Sequence, residues 1–353
     1  MDARNGPAHG RRPSPLISLG SLLLVFVVLL AACGAPTATS SPADTASPAT
    51  AAPTTAVPTT AAPSASPTLA ATFPLQLTDD EGTLVAIPAE PSRIVSLTPA
   101  ATETLFAIGV GARLVGMVED LRLYPPEAAD VPDVARFGSV DVEKIVSLGT
   151  DLVIAGGDNF NPPEAIQKLR DLGVPVLVLF APDITTALAD MSLIGRAVGR
   201  VNEADRLTAS VQAAFDEVAG ATASLSIPRV YYELDASSGF FGPAPDYFGT
   251  GMIRVAGGDP LTSGTPGVYQ IEAEQILAFD PQVILLGDAA YGVTPEQVAS
   301  RPGWDTLSAV ADGAVRPIDD VIVTRPGPRL ADGIRALAQA IHPDLVLPGP
   351  SPS

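Results

Sequence analysis

The residues whose types and spacing could do chemistry are few. Glu143 stands near the start of VEKIVSLGTDLVIAGG (142–157), and Glu274 near the start of AEQILAFDPQVILLG (273–287), 131 positions further on. In each phrase the glutamate leads a polar residue, Asp151 or Gln282, by eight positions, and an apolar run ending in glycine follows. A carboxylate in the first turn of a helix gains about 0.3–1 kcal/mol from the helix dipole. That gain is one reason to place it there; a charge that steers a partner is another. Catalytic groups are scarce. The chain has two histidines, and only His342, in the helix exit HPD, lies beyond the N-terminal leader. It has no neighbouring motif for a serine triad or a zinc hydrolase. Gly109-Val110-Gly111 with Gly116 follows a helical pattern instead of a strand, so it is not a dinucleotide fingerprint, and no Walker pattern occurs. These absences point to binding and away from catalysis, with no cofactor of the chain's own.

The one cysteine carries a different chemistry. Arg11 and Arg12 precede an apolar segment, Leu16 to Ala32, that ends in Leu30-Ala31-Ala32-Cys33. A basic start, a short apolar core and small residues before a cleavage point define a secretory signal peptide over 1–32. A lone cysteine cannot form a disulfide within its chain. Leu30-Ala31-Ala32-Cys33 resembles a bacterial lipobox, which implies that Cys33 is a lipidated mature N-terminus; an uncleaved anchor with an incidental cysteine is the other reading, and ordinary secretion and twin-arginine export are both open. Residues 33–72 are almost wholly Ala, Thr, Pro, Ser and Gly, too polar and small to offset their ordering entropy, and form a disordered tether. Of 20 basic and 39 acidic residues, three and one lie in the first 32, leaving 17 against 38 and a formal balance of −21. Such a surface disfavours nucleic acid and anionic headgroups. Lysine is confined to Lys144 and Lys168.

The elements that must position these residues alternate. RIVSL, LVGMV, DLVIAG and VPVLVLF, then RVYYEL, QVILLG and AVRPID, are near-continuous apolar runs, the pattern of parallel strands covered on both faces. Between them PAATETLFAIG, PPEAIQKLRDLG, FGTGMIRVAGG and GPRLADGIRALAQAIHP have helical spacing, often with Pro at the start and Gly at the end. Thr98 before Pro99 is a helix start. From Ile184 to Leu225 there is no strand signal and no proline; the second of two helices there runs from a cap at Asn202 to about Ser224 and reaches about 33 Å. The expected fold is α/β: an N-terminal lobe over 73–200, a single long backbone helix over 201–226, a C-terminal lobe over 227–347 and a tail over 348–353, each lobe with a central parallel sheet flanked by helices.

RIVSLTPAATETLFAIGVGARLVGM, Tyr124-Pro125-Pro126, VEKIVSLGTDLVIA, the AGG at 256–258 and RPGPRLADGIRALAQAIHP, in that order, resemble the helical-backbone solute-binding proteins of ABC importers, which deliver ferric siderophores, cobalamin or haem. The resemblance implies an extracytoplasmic, lipid-anchored monomer that passes a small-molecule metal chelate, ferric siderophore or cobalamin, to a permease dimer. A haem-binding component, or a sensor or adhesin without an importer, stands beside that reading. It also implies that Glu143 and Glu274 dock on the two permease subunits. Open α/β sheets bind ligands at the carboxyl ends of their strands. The loops there carry Glu119, Asp120, Arg122, Tyr124, Phe137, Asp158, Asn159 and Phe160 in the first lobe, and Phe240, Phe241, Tyr269, Tyr291 and Arg325 in the second. Of these, Tyr124, Phe137, Phe160, Phe240, Phe241, Tyr269, Tyr291 and Arg325 are the expected ligand contacts. Arg325 stands at the cleft in the resemblance, with Arg329 the better holder of the following helix start. No metal ligand set is expected, and Trp304 reads as core.

If Cys33 carries the anchor, Cys33→Ser will appear in the medium or remain unprocessed on fractionation. A variant still processed and membrane-bound would contradict the anchor.

Overall fold

The computed structural model describes residues 71–158 and 160–347. Cys33, the signal peptide, almost all of the tether, Asn159 and the tail lie outside the described residues. Among the described residues no helix is long and apolar enough to cross a membrane.

The first lobe opens with a hairpin, β1 (Leu75–Thr78) and β2 (Leu84–Ile87), then β3 (Ile94–Ser96), α1 (Pro99–Ala107), β4 (Leu114–Val118), β5 (Asp133–Arg136), β6 (Ser139–Val140), α2 (Val142–Ser147), β7 (Leu152–Ala155), α3 (Pro163–Asp171) and β8 (Val176–Val178). The sheet order is β6-β5-β4-β3-β7-β8, and every pair except β5–β6 is parallel. The apolar strands are continuous because both faces are covered. Leu105 and Ile108 of the α1 turn, with the hairpin's Leu77 and Ile87, pack on one face; Ile145 of α2 and Leu169 of α3 pack on the other. Each such fully buried side chain contributes about 1.5–3 kcal/mol. Thr98 caps α1 through its hydroxyl, which accepts from the Ala101 amide at 3.2 Å, with Pro99 at the first helical position.

Two helices then leave the first lobe for the second. α4 (Ile184–Ala197) places Ala187 and Met191 in the second lobe's core and Ile194 and Ala197 in the first lobe's. The long connecting helix, α5 (Val201–Thr222), folds back along it, with Ala204 in the first core and Val211, Phe215 and Val218 in the second. The linking element therefore includes α4 as well as α5. Their approach needs Gly195, where an added Cβ would lie 2.2 Å from the Ala204 Cβ. Asn202 does not cap α5. Gly199, at φ +74°, turns the chain so tightly that Arg200 takes the cap position and Asn202 lies inside the first turn.

The second lobe holds β9 (Arg229–Glu233), β10 (Phe240–Phe241), α6 (Phe248–Val255), β11 (Asp259–Pro260), β12 (Gln270–Ile271), α7 (Ala273–Phe279), β13 (Val283–Leu286), α8 (Pro295–Ala299), α9 (Ser308–Ala311), β14 (Val315–Pro317), α10 (Asp320–Thr324) and α11 (Leu330–Ile341). Its parallel sheet runs β11-β9-β13-β14, and β10 and β12 form a separate antiparallel pair. Met252 of α6 and Leu337 of α11 cover one face, and Ile276 of α7 and Trp304 the other. Trp304 is fully buried, and the His342 Nε2 lies 3.2 Å from the Gly257 carbonyl at the end of α11.

One buried acid sets a pH dependence. Asp190 of α4 is 8% exposed. Burial first, then the charge of Asp80 and a hydrogen bond with it, then the charge of Asp183, push its carboxyl up to about 8. The folded state thus keeps a proton that the unfolded chain, with an ordinary carboxyl near 3.9, has released. The resulting stability is fully present below about pH 4 and is lost as pH rises through about 8. Asp190→Asn should remove a slope on the order of a few kcal/mol from the urea-unfolding stability over that range. An unchanged slope would mean that Asp190 does not keep its proton in the folded state.

Candidate functional site

The parallel strands of each lobe place their carboxyl-terminal loops at one edge. In the first lobe Phe137, in the β5–β6 turn and 78% exposed, meets Phe160, just beyond β7, edge-on at 6.0 Å between ring centres. The Gly138 amide donates to the Phe160 carbonyl at 3.2 Å, which ties the two loops together. Gly156 is needed beside them, because a Cβ there would sit 2.8 Å from Thr98 and 2.9 Å from Phe160. Tyr124 is half-exposed, with the Arg329 guanidinium 4.3 Å from its ring centre, so it faces the second lobe.

The lobes meet there through buried ion pairs. Asp120, after β4, accepts from both terminal nitrogens of Arg325 at 2.7 Å. Glu103 of α1, whose side chain is 1% exposed, accepts from Arg329 Nε at 2.9 Å and Nη2 at 2.6 Å, and from Arg325 at 3.2 Å. Arg122 reaches Asp319 at 3.0 Å. Burial alone would raise the Asp120 carboxyl; the hydrogen bonds from Arg325 and from the Arg122 amide, with the charges of Arg325 and Arg329, hold it below its ordinary value. Burial likewise works against the Arg325 charge, and Asp120 and Glu103 outweigh it. Arg325 is therefore at the seam between the lobes, but its guanidinium is engaged by carboxylates of this chain. The expected place of Arg325 is next to the lobe boundary, and there it serves two buried acids of this chain.

The second lobe contributes less uniformly. Phe240 is half-buried, its ring 5.1 Å from Trp304 with Arg301 above it at 5.2 Å, so it closes the core more than it opens to solvent. Phe241, on the same short strand, is also half-buried. Tyr269 is 39% exposed and edge-on to Tyr247 at 5.6 Å. Tyr291, in the turn after β13, is 73% exposed. Among the described residues the exposed aromatics are thus Phe137, Tyr291, Phe160, Tyr124 and Tyr269, together with Phe180 just beyond β8.

The twin phrases fold alike. Glu143 in α2 and Glu274 in α7 are both exposed, second in their helices, behind the caps Asp141 and Glu272. Among the described residues neither glutamate takes part in an ion pair. Asp151 Oδ1 accepts from the amide of Arg93 at 2.9 Å, and Gln282 Oε1 from the amide of Arg229 at 3.2 Å. Arg93 Nε donates to the Leu148 carbonyl at 2.6 Å, and Arg229 Nε to the Phe279 carbonyl at 2.7 Å. Those carbonyls stand five residues after each glutamate. Each phrase is one helix locked by an arginine onto the start of its lobe's central strand.

Glu103, Arg329, Glu233, Asp288 and Arg301 were not singled out as site residues in the sequence reading. Glu103 had a signal, as the only charged residue in PAATETLFA, a stretch with helical spacing. The others depend on contacts 68 or more positions apart or on burial after a strand.

Two α/β lobes joined by crossing helices, with aromatic loops at the strand ends, define a two-lobed solute-binding architecture. The chain belongs to the periplasmic binding protein family, whose model matches residues 94–321. It is 30% identical to the uncharacterized ABC transporter substrate-binding lipoprotein YvrC of Bacillus subtilis, over 91% of this chain and 96% of that one. Its fold is similar to that of the periplasmic vitamin B12-binding protein BtuF of Vibrio cholerae, with a TM-score of 0.63, 26% identity, and coverage of 72% of this chain and 98% of the other. It is also similar to the periplasmic haem-binding protein RhuT from Roseiflexus sp. RS-1, with a TM-score of 0.63, 25% identity, and coverage of 71% and 98%.

Arg325→Ala should lower stability by about 3 kcal/mol or more in urea unfolding, because Asp120 and part of Glu103 lose their counter-charge while still buried. Combining it with Asp120→Ala should cost less than the sum of the single changes. Strict additivity would mean that the pair is not coupled.

Proposed function

We propose that this chain is the extracytoplasmic solute-binding lipoprotein of an ABC importer and carries a metal chelate, a ferric siderophore or cobalamin, between its two lobes. The observation that carries this reading is the set of open aromatic side chains at the strand ends of both lobes, in a chain whose family relatives include vitamin B12- and haem-binding proteins. Large apolar faces in a cleft suit a bulky ligand with a flat or apolar exterior. Phe137 with Phe160 would hold it from the first lobe, and Tyr269 with Tyr291 from the second. Tyr124 and the Arg325–Asp120 pair lie at the seam beneath. Phe240 and Phe241 would shape the wall of the second lobe. Exposed tyrosines keep a haem reading alive, since a phenolate can serve as an axial ligand. Cys33 would hold the chain at the membrane through its lipid, and the tether would let the body reach a permease. An absorbance scan and a native mass spectrum of protein purified from its own host will separate a corrinoid, a haem and a ferric chelate by band and by mass. Protein that carries none of these and takes up none from a panel of all three overturns the reading.

Glu143 and Glu274 are the docking charges in this proposal, one per lobe, for arginines on the two permease subunits. Alanine at either site removes a surface charge and about 0.3–1 kcal/mol of dipole stabilisation. Arginine at both sites should abolish uptake, while calorimetry on the isolated protein finds chelate affinity unchanged. Normal uptake by the double reversal would leave the glutamates as ordinary helix starts.

A further inference from the structure

A pocket of about 310 Å³ opens at the carboxyl ends of β9 and β13, lined among others by Asp235, Ser237, Asp288, Tyr291, Gln297 and Arg301. Its volume is near the lower limit for small-molecule sites and holds a short chain, not a whole macrocycle. Its wall contains a carboxylate with unfinished hydrogen bonding. Asp288 is 4% exposed, and its Oδ1 has no partner among the described residues. A buried acceptor of this kind normally has a donor. The cation that lines the pocket cannot supply one. Arg301 donates to both oxygens of the fully buried Glu233, at 2.6 and 2.8 Å, and also lies over the rings of Phe240 and Trp304. Asp235 turns both its oxygens to Ser237, one to the amide and one to the hydroxyl, each at 2.9 Å. The pocket therefore has two carboxylates, no uncommitted positive charge and an empty acceptor position. An anion entering it would meet Asp235 and Asp288 with nothing to neutralise them.

We propose that this pocket is a binding site for an organic cation, an ammonium or guanidinium on a short alkyl chain, with Asp288 Oδ1 as its principal acceptor and the exposed Tyr291 ring over its mouth. The inference depends on the importer reading only for the pocket's place beside the chelate cleft; its chemistry is local. A chelate with an amine-bearing arm would satisfy it in one molecule.

The geometry also sets the pH response. Burial first, then the charge of Glu233 and a hydrogen bond with it, raise the Asp288 carboxyl to about 6, with a hydrogen bond from its own backbone amide and the Arg301 charge opposing them. The other titratable groups facing it are the phenols of Tyr231 and Tyr232 on β9, and burial pushes both well above their ordinary value. Near neutral pH Asp288 is ionised and accepts a cation; below about 6 it is protonated and the site weakens.

Calorimetry of the purified chain with arginine, agmatine and putrescine, against succinate and glucose as controls, tests the site. Trp304, the only tryptophan and 4.6 Å from the Arg301 guanidinium, gives an independent fluorescence readout. The expected result is saturable binding of the cations alone, weakened about tenfold or more by Asp288→Asn and by a fall from about pH 7.5 to about pH 5. Because Asp288 is buried, Asp235→Asn at the more open wall serves as a second variant and should weaken binding less. Absence of cation binding, equal affinity in both variants, or preference for succinate overturns the proposal. A chelate bound without any cation response would defeat this inference and leave the importer reading standing. Cation binding without any chelate would do the reverse.

Discussion

Two carboxylates have been removed from water at the seam between the lobes, and each is paired with arginines from the opposite lobe. Glu103 and Asp120 come from the first lobe, Arg325 and Arg329 from the second. A buried charge without a partner costs several kcal/mol, so the arginines must be present and in register for the chain to fold as it does. That requirement fixes more than the seam. Asp120 sits in the loop that carries Tyr124, and Arg329 lies over the Tyr124 ring. The first residues of α1 press against Gly327, whose missing Cβ leaves the Ala100 carbonyl 3.4 Å from the ideal position. The helical link reinforces the same geometry, because α4 and α5 each have side chains in both cores.

The duplicated phrase has a mechanical origin that its spacing alone did not disclose. In both lobes an arginine at the entry to the central strand uses its backbone to meet the polar residue eight positions after the glutamate, and its side chain to close the carbonyl end of the helix. Five and eight are the distances needed to run one helix out and bring the chain back in register with that strand. The spacing is thus a property of the lobe's construction. The glutamates are a separate matter, since they point to solvent and do not form part of the lock.

Much of the architecture was legible. All seven apolar runs became strands, because both faces of each sheet are buried and the sequence there has no reason to alternate. The strands that escaped were β1, β2, β5, β6 and β10 to β12. Each is two to four residues long, so that even the alternation of Leu75-Gln76-Leu77-Thr78 in β1 is too short to stand out as a period-two signal. The start of α5 was misplaced by two residues because a left-handed glycine, and not a side-chain cap, begins it. In the candidate site, residue types could place aromatics on loops but could not say whether a ring faces solvent, as Phe137 does, or closes a core, as Phe240 does. Arg325 could be read as belonging to the seam, but its partners lie 205 and 222 positions away.

The distribution of lysine has a practical corollary. Both lysines stand on helices of the first lobe, Lys144 in α2 beside Glu143 and Lys168 in α3, and the Lys144 ammonium rests on the Asp133 carbonyl at 2.6 Å. The second lobe has no amine on any side chain. Amine-directed reagents therefore see a one-sided molecule. Coupling to an activated support would tether the first lobe and leave the second free. A lysine-specific cross-linker would map neighbours of the first lobe alone, and the silence of the second would reflect its composition, not a lack of neighbours.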